Sequence, residues 1–220
     1  MRRREFLTTV AAASLLPQVT GRAAAATAAA APEQLKLGVA SYSLRKFPFD
    51  KALEMTTACG VKYINFKDVH VPRTDSPEAL KAARAKTEAA GLTIMGGGTI
   101  TWVQKGPTWE PSDAEQVRKD FEYAKLMGMP LIVAAPSFEA LDTVEKTAKE
   151  FDIKVAIHNH GPEDKFFPSP YDVYKHIKGR DTHMGMCVDI GHTWRAKVDP
   201  TKAVLELHDR VYDLHVKDLS

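Results

Sequence analysis

The chain has little of what would place it in several large protein classes. Only two cysteines, Cys59 and Cys187, occur in 220 residues. Both sit in apolar contexts, so they read as buried thiols rather than a disulfide. Past the N-terminus no run is long and apolar enough to cross a bilayer. No Lys/Arg cluster stands out and the formal net charge is only +2, so nucleic acid is not an expected partner. A Gly-rich dinucleotide fingerprint is missing after the first β-like run, where Ala40-Ser41-Tyr42-Ser43 stands instead.

What is present begins with an address. Adjacent arginines Arg2-Arg3-Arg4 precede Phe6-Leu7, a mildly apolar run covers 8–16, and an alanine tract over 23–31 offers A-x-A cleavage sites. The pattern reads as a twin-arginine export signal over residues 1–31. The expected mature protein, 32–220, is periplasmic and free of the membrane once cleaved. Cleavage removes four arginines and one glutamate, leaving 26 basic against 27 acidic residues. The remaining 189 residues suffice for one hydrophobic core.

From residue 36 onward, short β-like runs alternate with helical ones. The strands are placed at 36–41, 61–66, 92–97, 131–135, 154–159, 184–190 and 211–217. Helical stretches include 50–59, 77–90, 113–127, 138–151 and 200–208, with starts at Ser76-Pro77 and Ser112-Asp113 and glycine stops at Gly60, Gly91 and Gly128. Successive strand ends lie 24 to 38 residues apart, bracketing the ~31-residue repeat of a (β/α)₈ barrel. The expected fold is therefore α/β, of the TIM-barrel type, with seven strands in this sequence and the eighth unit absent. A doubly wound open sheet is the alternative.

Active sites of such barrels lie at the C-terminal ends of the strands. The two-residue period of a strand puts Ala156, His158 and His160 on one face of the fifth run. It likewise turns Gly185, Cys187 and Asp189 inward on the sixth, and Asp213, His215 and Lys217 on the seventh, with Tyr212, Leu214 and Val216 outward. Imidazoles and carboxylates are ligands for a first-row divalent ion, and three consecutive strands deliver them together. His158, Asp189 and His215 are therefore the expected metal ligands. His192 suits a substrate hydroxyl or proton transfer, or else caps a helix. Lys217 would hold an anion or oxyanion, or pair with a carboxylate. His160 and Glu163 are candidates for coordination or acid–base work, and Asn159 for anchoring the strand-end loops. Gly96-Gly97-Gly98 would let a ligand approach the backbone. Trp102 and Trp109 fall in the connection after the third strand, where a ring could stack on a sugar. His70, His176, His183 and His208 read as solvated.

The segments His158-Asn159-His160-Gly161-Pro162-Glu163, Asp189-Ile190-Gly191-His192 and His215-Val216-Lys217-Asp218 resemble the xylose-isomerase-like sugar phosphate isomerase/epimerase superfamily, over residues 35–220. The resemblance implies ligands at His158, Asp189 and His215, a substrate contact at His192, and a glutamate from an eighth strand beyond Ser220. The sequence departs from many family epimerases in carrying His158 where they place a glutamate. It further implies a divalent cofactor (Mn²⁺, Mg²⁺, Co²⁺ or Zn²⁺), a small carbohydrate substrate and proton transfer beside a carbonyl. Elimination or hydration of a keto-sugar or 3-keto-glycoside is the second expectation, and a non-catalytic sugar-binding barrel the third. A homo-oligomer is compatible with all of these.

Overall fold

The computed structural model describes residues 35–104, 106 and 108–217; the export signal read over 1–31 lies outside them. Seven strands form one parallel sheet: β1 (Gly38–Ala40), β2 (Tyr63–Phe66), β3 (Thr93–Trp102), β4 (Leu131–Pro136), β5 (Lys154–His158), β6 (Met184–Asp189) and β7 (Val211–His215). Their spatial order is their order in sequence. A doubly wound sheet reverses direction at a switch point; this one never does. The fold is that of a TIM-type barrel, with seven strands among the described residues.

Helices α1 (Phe49–Ala58), α2 (Pro77–Ala89), α3 (Pro111–Met127), α4 (Leu141–Phe151), α5 (Pro170–Ile177), α6 (Ile190–Arg195) and α7 (Pro200–Glu206) fill the crossovers. Local chemistry explains their ends. Ser76 accepts the Ala79 N–H at 3.2 Å to start α2, and Gly128 closes α3 in the left-handed region at φ 68°. Helix α3 begins earlier than the expected Ser112-Asp113 start, because Asp113 reaches back to the Glu110 N–H at 3.1 Å and makes Glu110 the cap. Helix α4 buries Leu141, Val144, Thr147 and Ala148, one face at helical spacing. Among the described residues no helix is long and apolar enough to cross a membrane.

Alternation along the strands sorts their side chains into two apolar layers. Ile132, Ala134, Val155, Ile157, Met184, Met186 and Val188 join the large core that also takes in the helices. Leu131, Val133, Ala156 and Cys187 form a small inner cluster on the other face. The inner side chains are small or polar toward the strand ends, which leaves that end to the site.

Three expectations require correction here. The third strand runs on to Trp102 instead of ending at 97, so Gly98 also lies inside it, and the space beside Gly96, Gly97 and Gly98 is filled by protein rather than open to a ligand: a Cβ on Gly97 would stand 2.5 Å from Met129 Sδ. Cys59 caps the end of α1 and is exposed, not buried, whereas Cys187 is buried. His70 is not solvated: it is 9 % exposed, with a ring nitrogen 3.1 Å from the Phe47 carbonyl.

Candidate metal and carbohydrate site

Strands β5, β6 and β7 present their inward side chains on two adjacent levels. His158 pairs in register with Cys187, Cys187 with Asp213, and Asp189 with His215. His158 stands at the centre of four imidazoles. Its ring centroid lies 4.3 Å from that of His160, 4.7 Å from His215 and 5.9 Å from His192. His158 Nε2 is 3.3 Å from Asp189 Oδ2, and Lys217 Nζ is 2.9 Å from the same oxygen.

Asp189 is 2 % exposed and serves two purposes. Its Oδ1 accepts the His192 N–H at 2.8 Å and starts α6, while Oδ2 faces the imidazoles and Lys217. Burial pushes its pKa up, but His158, the His192 N–H and Lys217 outweigh that and hold the carboxyl well below the usual range. Asn159, also buried, fixes the junction. Its Oδ1 accepts the Asp189 N–H at 3.0 Å and its Nδ2 donates to Thr193 Oγ1 at 3.1 Å.

Burial lowers His158 and His215 to a pKa of about 4, so both are neutral at pH 7. Of the two His158 ring nitrogens, Nε2 faces the Asp189 carboxylate at 3.3 Å, which leaves Nδ1. That atom is buried without a hydrogen-bond partner. An orphaned imidazole nitrogen, a second neutral imidazole and an ionised carboxylate form a donor set that suits a divalent cation.

The remaining candidates differ in position. Arg195 donates to His192 Nδ1 at 3.0 Å. A guanidinium cannot accept, so His192 accepts at Nδ1 and carries its hydrogen on Nε2. Glu163 pairs with the same Arg195, and its side chain is 67 % exposed. His160 Nδ1 is 3.3 Å from Asp164 Oδ2, without hydrogen-bond alignment; burial lowers its pKa. Trp102 does not lie in a connection and offers no stacking face. It ends β3 at 3 % exposure, donates its indole N–H to Asp120 at 2.8 Å and stacks on Phe121. Trp109 packs against the core and donates to Thr143 at 3.1 Å.

One residue escaped the sequence reading and another was turned the wrong way. Lys67 follows β2, its N–H held by Ser41 Oγ at 2.9 Å, and its Nζ donates to Thr99 Oγ1 at 2.9 Å. Burial lowers its pKa, and its charge in turn depresses His160 and His215. A single lysine after a four-residue strand resembles any solvated lysine; its place at a strand end was the available signal. Tyr212 was expected outward. A register shift beside Met186/Cys187 instead turns it onto Gly185 and the inner cluster.

Against known proteins, a family model described as "Xylose isomerase-like TIM barrel" matches residues 53–220. An uncharacterized protein from Parabacteroides distasonis ATCC 8503 is 27 % identical with a TM-score of 0.67, covering 84 % of this chain and 75 % of that one. D-psicose 3-epimerase from Clostridium cellulolyticum H10, solved with D-tagatose, is 13 % identical with a TM-score of 0.70, covering 82 % and 72 %. The probable 3-DHS dehydratase AsbF of petrobactin synthesis in Bacillus anthracis is 12 % identical with a TM-score of 0.68, covering 84 % and 74 %. The last two, at such identities, share the fold. A search of curated proteins gave no match.

Proposed function

The chain belongs to the xylose isomerase-like TIM barrel family, and we propose that it is a divalent-metal-dependent sugar isomerase or epimerase. The observation that carries this reading is the close approach of His158 to both other candidates, its ring centroid 4.7 Å from that of His215 and its Nε2 3.3 Å from Asp189 Oδ2, with its Nδ1 buried and without a hydrogen-bond partner. These three residues would hold the cation, Mn²⁺, Mg²⁺, Co²⁺ or Zn²⁺. When bound, it would supply Lewis acidity toward a carbonyl and a neighbouring hydroxyl.

The chain's own residues supply the rest. His160, neutral because burial lowers its pKa, takes a proton from the carbon beside the carbonyl. His192, with its hydrogen on Nε2, donates to a substrate oxygen, and Arg195 fixes that tautomer. Lys67 and Lys217 bring positive charge to the mouth, where negative charge develops on oxygen. Glu163 acts through Arg195 rather than on substrate.

Elimination from a keto-sugar or 3-keto-glycoside is the second reading, favoured by one observation. The mouth offers one imidazole acceptor and one imidazole donor, with Glu163 tied to Arg195. Elimination needs only one base and one acid, whereas epimerisation requires proton delivery to both faces of the carbon. Export by the twin-arginine route is part of the proposal: residues 1–31 fused to a folded reporter should carry it to the periplasm only while Arg3 and Arg4 are intact.

Metal analysis and proton exchange test the chemistry together. The purified protein should retain a divalent ion that His215→Ala loses, and should place deuterium beside the carbonyl of a ketose in D₂O. Aglycone release from a 3-keto-glycoside without such exchange would select elimination. A protein that takes up no divalent ion would end both readings.

A further inference from the structure

Cys187 lies on the inner face of β6, fully buried, one step below Asp189 and level with His158 and Asp213. Its apolar neighbours Leu131, Val133 and Ala156 are what any structural cysteine would have. Its polar neighbours are not. The thiol points at Asp213 Oδ2, 3.6 Å away. Its Sγ, a ring nitrogen of His158 and a ring nitrogen of His215 all lie within 4.8 Å of one another. A tetrahedral ion with ordinary Zn–S and Zn–N bonds holds its ligand atoms about 3.3–3.6 Å apart, so small side-chain rotations would bring the three together. The second, independent observation is the buried His158 Nδ1, which has no protein partner.

We infer that Cys187 is itself a ligand of the cation, closing the site from below with sulfur, and that the site prefers Zn²⁺ or Co²⁺ to Mg²⁺ or Mn²⁺. This rests on the reading that the mouth holds a divalent cation. The preference follows from donor softness, since thiolate and imidazole favour zinc and cobalt while magnesium takes oxygen. Coordination breaks the S–H bond and forms an S–metal bond with no change of oxidation state. The proton leaves toward the Asp213 carboxylate, already its hydrogen-bond acceptor, and from there to solvent.

Cobalt reports sulfur ligation directly. Metal-stripped wild-type protein titrated with Co²⁺ should develop visible ligand-field bands together with a near-ultraviolet sulfur-to-cobalt charge-transfer band. Cys59→Ser, altering the exposed thiol at the end of α1, should keep both. Cys187→Ser should lose the charge-transfer band and bind Zn²⁺ about tenfold more weakly or worse, with Mg²⁺ affinity unaltered. Wild-type protein that binds Co²⁺ without the charge-transfer band would overturn the sulfur ligand and leave the cation site standing. Wild-type protein that takes up neither Co²⁺ nor Zn²⁺ would overturn both. Because the wild-type spectrum decides between these outcomes, a Cys187→Ser protein that fails to fold does not rescue the proposal.

Discussion

Asp120 ties three parts of the chain together from within α3. It is 1 % exposed and accepts hydrogen bonds from Arg73 at 2.8 Å, the Trp102 indole at 2.8 Å and Gln116 at 3.1 Å. Removing it would leave the half-buried Arg73 and the buried indole N–H unmatched. Asp120→Ala should therefore cost about 3 kcal/mol, read as a lower urea midpoint. Lys67 makes the matching case for activity. Lys67→Met removes the charge but keeps the aliphatic stem, so deuterium exchange into a ketose should slow by about 10²-fold while stability changes little. An unchanged rate would remove Lys67 from the chemistry. Asp120 and Lys67 share a lesson about legibility. A lone charged residue in a helix or at a strand end carries no local mark of the partners that give it meaning.

At the scale of elements, the last two strands carry the site and behave differently. Strand β6 keeps a regular two-residue alternation, and the inward places of Gly185, Cys187 and Asp189 were legible from the sequence. Strand β7 shifts register against β6, so Met186 faces Val211 while Cys187 faces Asp213. Tyr212 thereby fills the space over Gly185, where a Cβ would stand 2.2 Å from its ring. Gly185→Ala should destabilise the fold by about 2 kcal/mol. Through β7 it should also weaken divalent-ion uptake at His215, measurable by calorimetry beside wild type. Helix α6 leaves no trace in the sequence for a different reason. It has six residues, too few to show a helical period, and its start depends on the Asp189 side chain.

For the whole molecule, the buried histidines link folding to pH and to metal. In metal-free protein His158 has a folded pKa of about 4, below the ordinary 6.5. The unfolded chain therefore binds the extra proton first. Stability is complete above about pH 6.5 and falls as the pH drops toward 4, by on the order of 3 kcal/mol for this residue. The urea midpoint should decline over that window, and His158→Gln should flatten the decline. Any ion that binds only the native protein adds stability, about 2.7 kcal/mol at a hundred times its Kd. Zn²⁺ should thus raise the melting temperature at pH 7 and a chelator should lower it; identical melting curves would count against the site.

The sequence by itself determined the strand–helix alternation and the inward face of β5 and β6. These depend on apolar periodicity, caps and turns, which act within a few residues. The tertiary structure alone decided which inward groups meet. It turned Tyr212 inward through a register shift, brought Cys187 to His158 and His215, led Lys67 across to Thr99 and withdrew Trp102 into the core. Each of those outcomes depends on pairing between segments distant in sequence and on how far a particular side chain reaches, and neither leaves a periodic trace along the chain.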